Sequence, residues 1–274
     1  MKNNNLNMFC ITLEPSHIDF IKSLDYIPVG LGTKNFPQDC LTDQSGNNIS
    51  KKNKFYGEYT FHYWLWKNYL DKITQDWIGF CQYRKFWSLN FTPNNEINLS
   101  NLKNKILKKI PEQLNNFEVI LGNPFFVNQR KIMKFIKKGF PLIVSNPQVL
   151  FDSKVRNIKF HFDLMHGRNN LDKAIDLLNN ENKNDFREFV NNEVSFNPHN
   201  MFICKSKKLL ISYYNEIFPW LEKCEDLFGF EGLKGYGLTR IYGFLAERFM
   251  SYWFKKNANF KELPILFHDV RESL

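Results

Sequence analysis

The stretch DWIGFCQYRKFW, residues 76–87, decides how the rest of the chain is read. Its first half, residues 77–81, is a short apolar run, the pattern of a buried strand. Its second half turns abruptly polar and cationic at Gln82, Arg84 and Lys85. In open α/β sheets the ligand sits beyond the carboxyl ends of the strands, so a ligand site is expected here. Side chains alternate along a strand. That alternation predicts Gln82 and Arg84 on one face, Tyr83 and Lys85 on the other. The plainer alternative is a strand end carrying solvated charges.

Similar short apolar runs lie on both sides. Residues 8–13, 27–31, 117–121, 201–204 and 264–268 read as further strands. Between them, residues 15–23, 56–70, 100–110, 207–224 and 238–255 read as helices. Ser100 is the expected N-cap of the third, and Pro111 its stop. Pro219 should kink or end the fourth. Residues 43–53 are a polar, turn-rich loop. The segment 127–192 alternates Lys-rich and apolar pieces and is expected to hold two or three helices. Strands alternating with helices predict an α/β sheet with helices on both sides.

The chain has 274 residues, 43% hydrophobic and 24% charged, enough for a sizeable core. Phe alone accounts for 28 positions, which predicts a Phe-rich core before it predicts ring stacking on ligands. The net charge of +9 favours anionic partners. The basic residues are scattered, in clusters such as Lys51-Lys52, Lys108-Lys109, Lys137-Lys138 and Lys205-Ser206-Lys207-Lys208. None is long enough for a nucleic-acid arm. Five cysteines, at 10, 40, 81, 204 and 224, form no CxxC pair. Buried free thiols and a reducing compartment are expected. Lys2-Asn3-Asn4-Asn5 leads into only a short apolar run, which predicts no secretory leader. No apolar segment reaches the roughly 18 residues of a spanning helix. A cytoplasmic protein, peripheral on the inner membrane at most, is the expectation.

Three groups invite a chemical reading. Glu58 and His62 are four apart on one helix face, and His62 among aromatics reads as a packing residue. His161, Asp163 and His166 have a spacing that tempts a metal assignment, but without a Cys or second carboxylate no metal site is assigned. Arg240 and Glu247 are seven apart in an apolar helix, with Gly243 and Ser251 on the same face. They read either as a salt-bridged structural face or as the wall of a site.

Four segments in order resemble one family: GNNISKKNKFYGEYTFHYWLWKN (46–68), DWIGFCQYRKFW (76–87), NPHNMFI (197–203) and RIYGFLAERFMSYW (240–253). They resemble the DUF4422 family of bacterial capsular-polysaccharide and O-antigen synthesis proteins, considered glycosyltransferases. The resemblance spans most of the chain and is weakest over 127–195. Three positions depart from the family pattern: Gln82 replaces a His, Lys85 an Arg, and Tyr59 a Leu. An amide does not titrate near neutrality, so Gln82 is no proton carrier.

What the resemblance implies is one glycosyltransferase-like domain over 1–274. Its fold is α/β and GT-A-like: a mostly parallel sheet flanked by helices, with additional C-terminal helices. Residues 1–125 would bind the nucleotide sugar, and 126–274 would form a helical acceptor side. The implied reaction moves a sugar, expected to be the hexose of a UDP-hexose, to a growing capsular or lipopolysaccharide glycan. The acceptor would be a glycan or lipid-linked. No divalent metal, other cofactor or nucleic acid is implied, because Gln82-Tyr83-Arg84 stands where many such folds carry Asp-x-Asp. Cations would then neutralise the diphosphate. Arg84 is the candidate for that role, assisted by Lys52, Lys85 or Arg248. Glu58 and Glu247 are the candidate catalytic carboxylates, unranked. Donor binding is expected from Asn48, Ser50, Lys52, Asn53, Gln82, Tyr83, Lys85, His199, Asn200, Arg240 and Arg248. The alternative is a non-catalytic glycan- or nucleic-acid-binding scaffold of a polysaccharide assembly complex.

Overall fold

A computed structural model describes residues 6–129, 144 and 147–269. The Lys137-Lys138 cluster lies outside the described residues. The chain divides into two compact units. The first comprises Met1–Asn123, His199–Asn215 and Phe254–Leu274, the second Pro124–Pro198 and Glu216–Trp253.

The first unit is built on a nine-stranded sheet. Its strands are β1 (Leu6–Thr12), β2 (Ile27–Gly30), β3 (Leu41–Thr42), β4 (Trp77–Gln82), β5 (Lys85–Trp87), β6 (Val119–Gly122), β9 (Phe202–Cys204), β10 (Phe260–Leu263) and β11 (Ile265–Phe267). The main order is β10-β6-β9-β4-β1-β2-β3. Four of those neighbouring pairs are parallel; only β9 runs antiparallel to both its neighbours. The sheet is thus mostly parallel, as expected, and helices accompany it. β1 and β4 pair in register from Leu6↔Trp77 to Ile11↔Gln82. Both are near-continuous apolar runs because a central parallel strand is covered on both faces. On one face Phe80 packs against Phe9, His62 and Phe202, with ring centroids 5.9, 4.2 and 4.9 Å apart. On the opposite face, Gly79 leaves room for the end of the Met8 side chain. A Cβ there would lie 2.9 Å from Met8 Cε, closer than packed carbons approach.

His62 is a packing residue, as expected. It is fully buried, and its Nδ1 lies 2.8 Å from the Tyr214 hydroxyl. Burial lowers its pKa to about 3. All five cysteines are buried and free. Among the described residues no helix is long and apolar enough to cross a membrane.

Local structure departs from the sequence expectation in three helices, and Pro219 does not end a fourth. The helix expected over 56–70 is broken into Asn53–Tyr56, Tyr59–Trp64 and a π turn at Leu65–Tyr69. Gly57, at φ 60°, makes the first break. Asn53 Nδ2 holds it by donating to Gly57 O at 3.0 Å and Thr60 Oγ1 at 3.1 Å. The helix expected over 100–110 is Leu99–Lys105, capped by Asn98 rather than Ser100. Asn98 and Asn101 exchange side-chain to backbone bonds, a capping box built from two amides. The helix Lys207–Phe228 carries Pro219 inside without ending there. The helix expected over 238–255 is instead Tyr236–Thr239 followed by Ile241–Asn257.

The second unit pairs β7 (Phe125–Phe126) with β8 (Ser195–Phe196) and packs helices Ile158–His166, Asn170–Ile175 and Asn180–Asn192. Phe186 anchors it, with its ring edge-on to Trp220 and Phe249 at 6.0 and 5.4 Å.

Candidate active site

The carboxyl ends of β1 to β4 gather polar side chains within the first unit. The chain turns at Tyr83-Arg84, so β4 ends at Gln82 and β5 returns antiparallel with Gln82↔Lys85 paired. The alternation predicted for a continuous strand therefore fails. Gln82 and Lys85 meet across the turn, and Lys85 Nζ donates to Gln82 Oε1 at 3.0 Å. The Gln82 amide nitrogen donates twice, to Glu58 Oε1 at 2.9 Å and to the His199 carbonyl at 3.0 Å. One amide thus ties a carboxylate, a cation and a backbone turn together.

That turn is costly. His199 and Asn200 both hold left-handed backbones, φ 79° and 54°. Such residues cost on the order of 1–3 kcal/mol each and persist where the surroundings over-determine them. Here they aim the His199 carbonyl at Gln82 just before β9 begins. Burial, and then the Lys85 charge, lower the His199 pKa to about 3. Its imidazole is neutral at physiological pH.

Next to this chain, Arg84 Nη1 lies 3.8 Å from Asp269 Oδ2. The Arg84 guanidinium sits 5.0 Å from the Tyr83 ring centroid. The other face of the strand ends carries a group that sequence reasoning missed. Thr12 Oγ1 and His17 Nδ1 are 2.7 Å apart and buried, and the His17 ring stacks on Tyr83 at 4.6 Å. Thr12 closes β1, so its position was legible; its partners, set by folding, were not.

Asp43 follows β3 and is fully buried. Its Oδ1 accepts the Gly32 N–H at 3.2 Å. Burial raises its pKa to about 6, with the Thr60 hydroxyl and the Gly32 N–H pulling the other way. An acid raised in the fold from 3.8 to about 6 stays protonated there while the unfolded chain has already ionised. Stability is therefore lost as pH rises between these values. Asp43→Asn should remove that slope. Between pH 4 and pH 7 its stability relative to wild type should improve by roughly 2–2.5 kcal/mol. Urea titrations at the two pH values check this; a constant difference would contradict it.

Of the other expected donor-binding residues, Asn48 and Ser50 spend hydrogen bonds on their own loop. Asn48 Oδ1 accepts from Ser50 N and Oγ at 3.2 and 2.8 Å. Asn53 holds the Gly57 break, as described above. Lys52 ends the short 3-10 turn Ser50–Lys52 that precedes it.

The second unit holds Arg240, Glu247 and Arg248. Arg240 lies at the break before helix Ile241–Asn257, not within a helix. The seven-residue stacking expected from one continuous helix therefore does not apply to it. Its guanidinium sits 5.8 Å from the Tyr236 ring centroid. Arg248, 1% exposed, makes a short ion pair with Glu247, its chain neighbour. Its guanidinium lies 4.1 Å from the Phe196 ring centroid and 3.4 Å from His161 Nδ1. His161, Asp163 and His166 have separate partners. Asp163 pairs with Lys159 at 2.7 Å, and His166 Nδ1 contacts Gly237 O at 3.0 Å. Burial, with the Arg248 charge second, lowers the His166 pKa to about 3. Among the described residues no three His, Cys, Asp or Glu side chains gather as a metal would require.

A family model described as a domain of unknown function, DUF4422, matches residues 11–258. Among solved structures, the apo form of the bifunctional glycosyltransferase WbbM is similar, with 20% identity and a TM-score of 0.71. The match covers 96% of this chain and 45% of WbbM, so this chain spans less than half of that protein's length. At this identity the likeness is one of fold. The mannosyltransferase Ktr4p from S. cerevisiae aligns over 90% of this chain and 63% of its own, with 9% identity and a TM-score of 0.28. That score carries no structural argument. No curated protein matches.

Proposed function

The chain belongs to the DUF4422 family, and we propose that it is a glycosyltransferase acting on a nucleotide-sugar donor. The observation that carries this reading is the linked set at the end of β4: Glu58, Gln82 and Lys85 in one hydrogen-bonded chain, with Arg84 beside it. Sugar transfer needs positive charge against the leaving diphosphate and, in an inverting enzyme, a carboxylate to take the proton of the acceptor hydroxyl. Arg84 and Lys85 supply the first. Arg84 can grip two phosphate oxygens in its planar fork, displacing the longer contact with Asp269.

Glu58 is the better of the two carboxylate candidates. It is half-buried and held by a neutral amide. Glu247 is already engaged as the ion-pair partner of Arg248, whose guanidinium lies over the Phe196 ring. The donor is a UDP-hexose and the acceptor a growing capsular or lipopolysaccharide glycan, with the cations doing the work a metal does elsewhere.

A thermal-shift panel of nucleotide sugars, with and without EDTA, tests this reading. At least one uridine diphosphate hexose should raise the melting temperature equally in both conditions. Turnover should persist in excess EDTA; loss restored by manganese would remove the metal-independent assignment. Arg84→Ala should weaken donor binding by about 1.5–3 kcal/mol, roughly ten- to a hundredfold, with a native circular dichroism spectrum. Unchanged affinity in calorimetry would exclude Arg84 from the diphosphate.

A further inference from the structure

Beyond β5 the first unit forms a groove of about 510 Å³, walled by residues 88–92 on one side and 103–111 on the other. Among the described residues four lysines line it, Lys103, Lys105, Lys108 and Lys109, and no carboxylate does. Lys103 and Lys108 reach Asp25, outside the lining, at 4.0 and 2.6 Å, so part of their charge is compensated. Thr92 adds a hydroxyl, and Asn90 and Asn104 add amides, to the walls, while the buried Ser88 hydroxyl donates to Asn90 O at 2.9 Å. Phe91, in sequence between two lining residues, is 77% exposed, and Leu89 within the lining is 40% exposed. The groove is separate from the strand ends that carry Gln82. Its lysine-bearing wall is fixed near the amino end of β2, where the Tyr26 hydroxyl donates to Leu107 O at 2.7 Å.

We propose that this groove binds an acidic oligosaccharide chain. The identification of that chain with a glycan being built rests on the glycosyltransferase reading; the binding chemistry does not. Ammonium groups attract the carboxylates or phosphates of an acidic sugar. Hydroxyl and amide side chains match sugar hydroxyls, and an exposed ring with a neighbouring Leu offers the apolar surface on which sugar rings lie. Other polyanions fit less well. A flat anionic membrane would meet protruding cations, whereas here the lysines line one wall of a concavity. Single-stranded nucleic acid is held by successive aromatic platforms, and among the described residues that line the groove none is aromatic, Phe91 standing only next to them in sequence.

The test titrates the full chain calorimetrically with four probes. They are an oligogalacturonate, a neutral maltooligosaccharide of equal length, phosphatidylglycerol vesicles and oligothymidylate. Saturable, salt-sensitive binding of oligogalacturonate is expected, with no heat from the neutral sugar. Lys105→Gln/Lys109→Gln should weaken that binding about tenfold, with unchanged melting temperature and unchanged nucleotide-sugar affinity. Lys105→Glu/Lys109→Glu should weaken it further. Wild-type affinity in both double variants would overturn the proposal. So would equal binding of the neutral sugar, or tighter lysine-dependent binding of vesicles or oligothymidylate. Lysine-dependent oligogalacturonate binding without any nucleotide-sugar binding would leave the groove standing and the transferase reading fallen.

Discussion

Glu58→Gln is expected to lower sugar transfer about 10²–10⁴-fold, the usual range for a removed general base, while donor affinity and melting temperature stay near wild type. The substitution keeps the side chain's size. The new amide oxygen can still accept the Gln82 N–H that now reaches Glu58 Oε1 at 2.9 Å. What disappears is the basicity, since an amide takes no proton near neutrality. The expected pattern is thus a loss in kcat with a small change in donor binding, the signature of an interaction made only as the reaction proceeds. Gln82→Leu provides the partner experiment. It leaves Glu58 in place but removes the amide that orients it and the acceptor for Lys85. Its loss should be smaller than that of Glu58→Gln. Full turnover in Glu58→Gln would exclude Glu58 as the base and return the role to Glu247.

Arg248→Ala should destabilise the second unit by about 3–5 kcal/mol, the cost of breaking a buried ion pair from one side. Arg248 is among the largest fully buried side chains. Its removal leaves the Glu247 carboxylate without its guanidinium and opens a void beside Phe196, Phe162 and Phe244. Replacing both members, as Glu247→Gln/Arg248→Met, should recover most of the loss, because no charge is then left uncompensated. Urea melts of the three chains check this. A single variant within about 1 kcal/mol of wild type would mean that the pair behaves like an exposed one. The two experiments also divide the two carboxylates by role. A large stability change is expected at the Glu247–Arg248 pair, and a large rate change at Glu58.

The strand pattern was legible in the sequence because strands in a mostly parallel sheet are short apolar runs that punctuation ends. β1, β2, β4 and β6 fall within a few residues of their expected places. β10 did not announce itself. Its sequence FKEL sets two charged residues between two apolar ones, a pattern without strand periodicity, and only pairing with β6 makes it a strand. Asn98 displaced Ser100 as the cap because its amide and that of Asn101 satisfy two backbone donors at once. A single-residue preference does not register that.

At the site, the sequence alone determined which residues end β4 and what charges they bring: Gln82, Tyr83, Arg84 and Lys85. It also brought Glu58 and the His199-Asn200 pair into consideration through their neighbours in the chain. Tertiary structure decided how they meet. The turn after Gln82 replaced alternation with a cross-turn contact to Lys85. Glu58 lies 24 residues from Gln82 and His199 lies 117 from it, and both converge on one amide. The burial that raises Asp43 and lowers His199 belongs to the folded packing, as does the gathering of residues 88–92 with Lys103–Lys109 around one groove. The physical reason is range. Periodicity, capping and turn chemistry act over a few residues and can be read locally. Hydrogen bonds, desolvation and charge act through space between segments that only the completed sheet brings side by side.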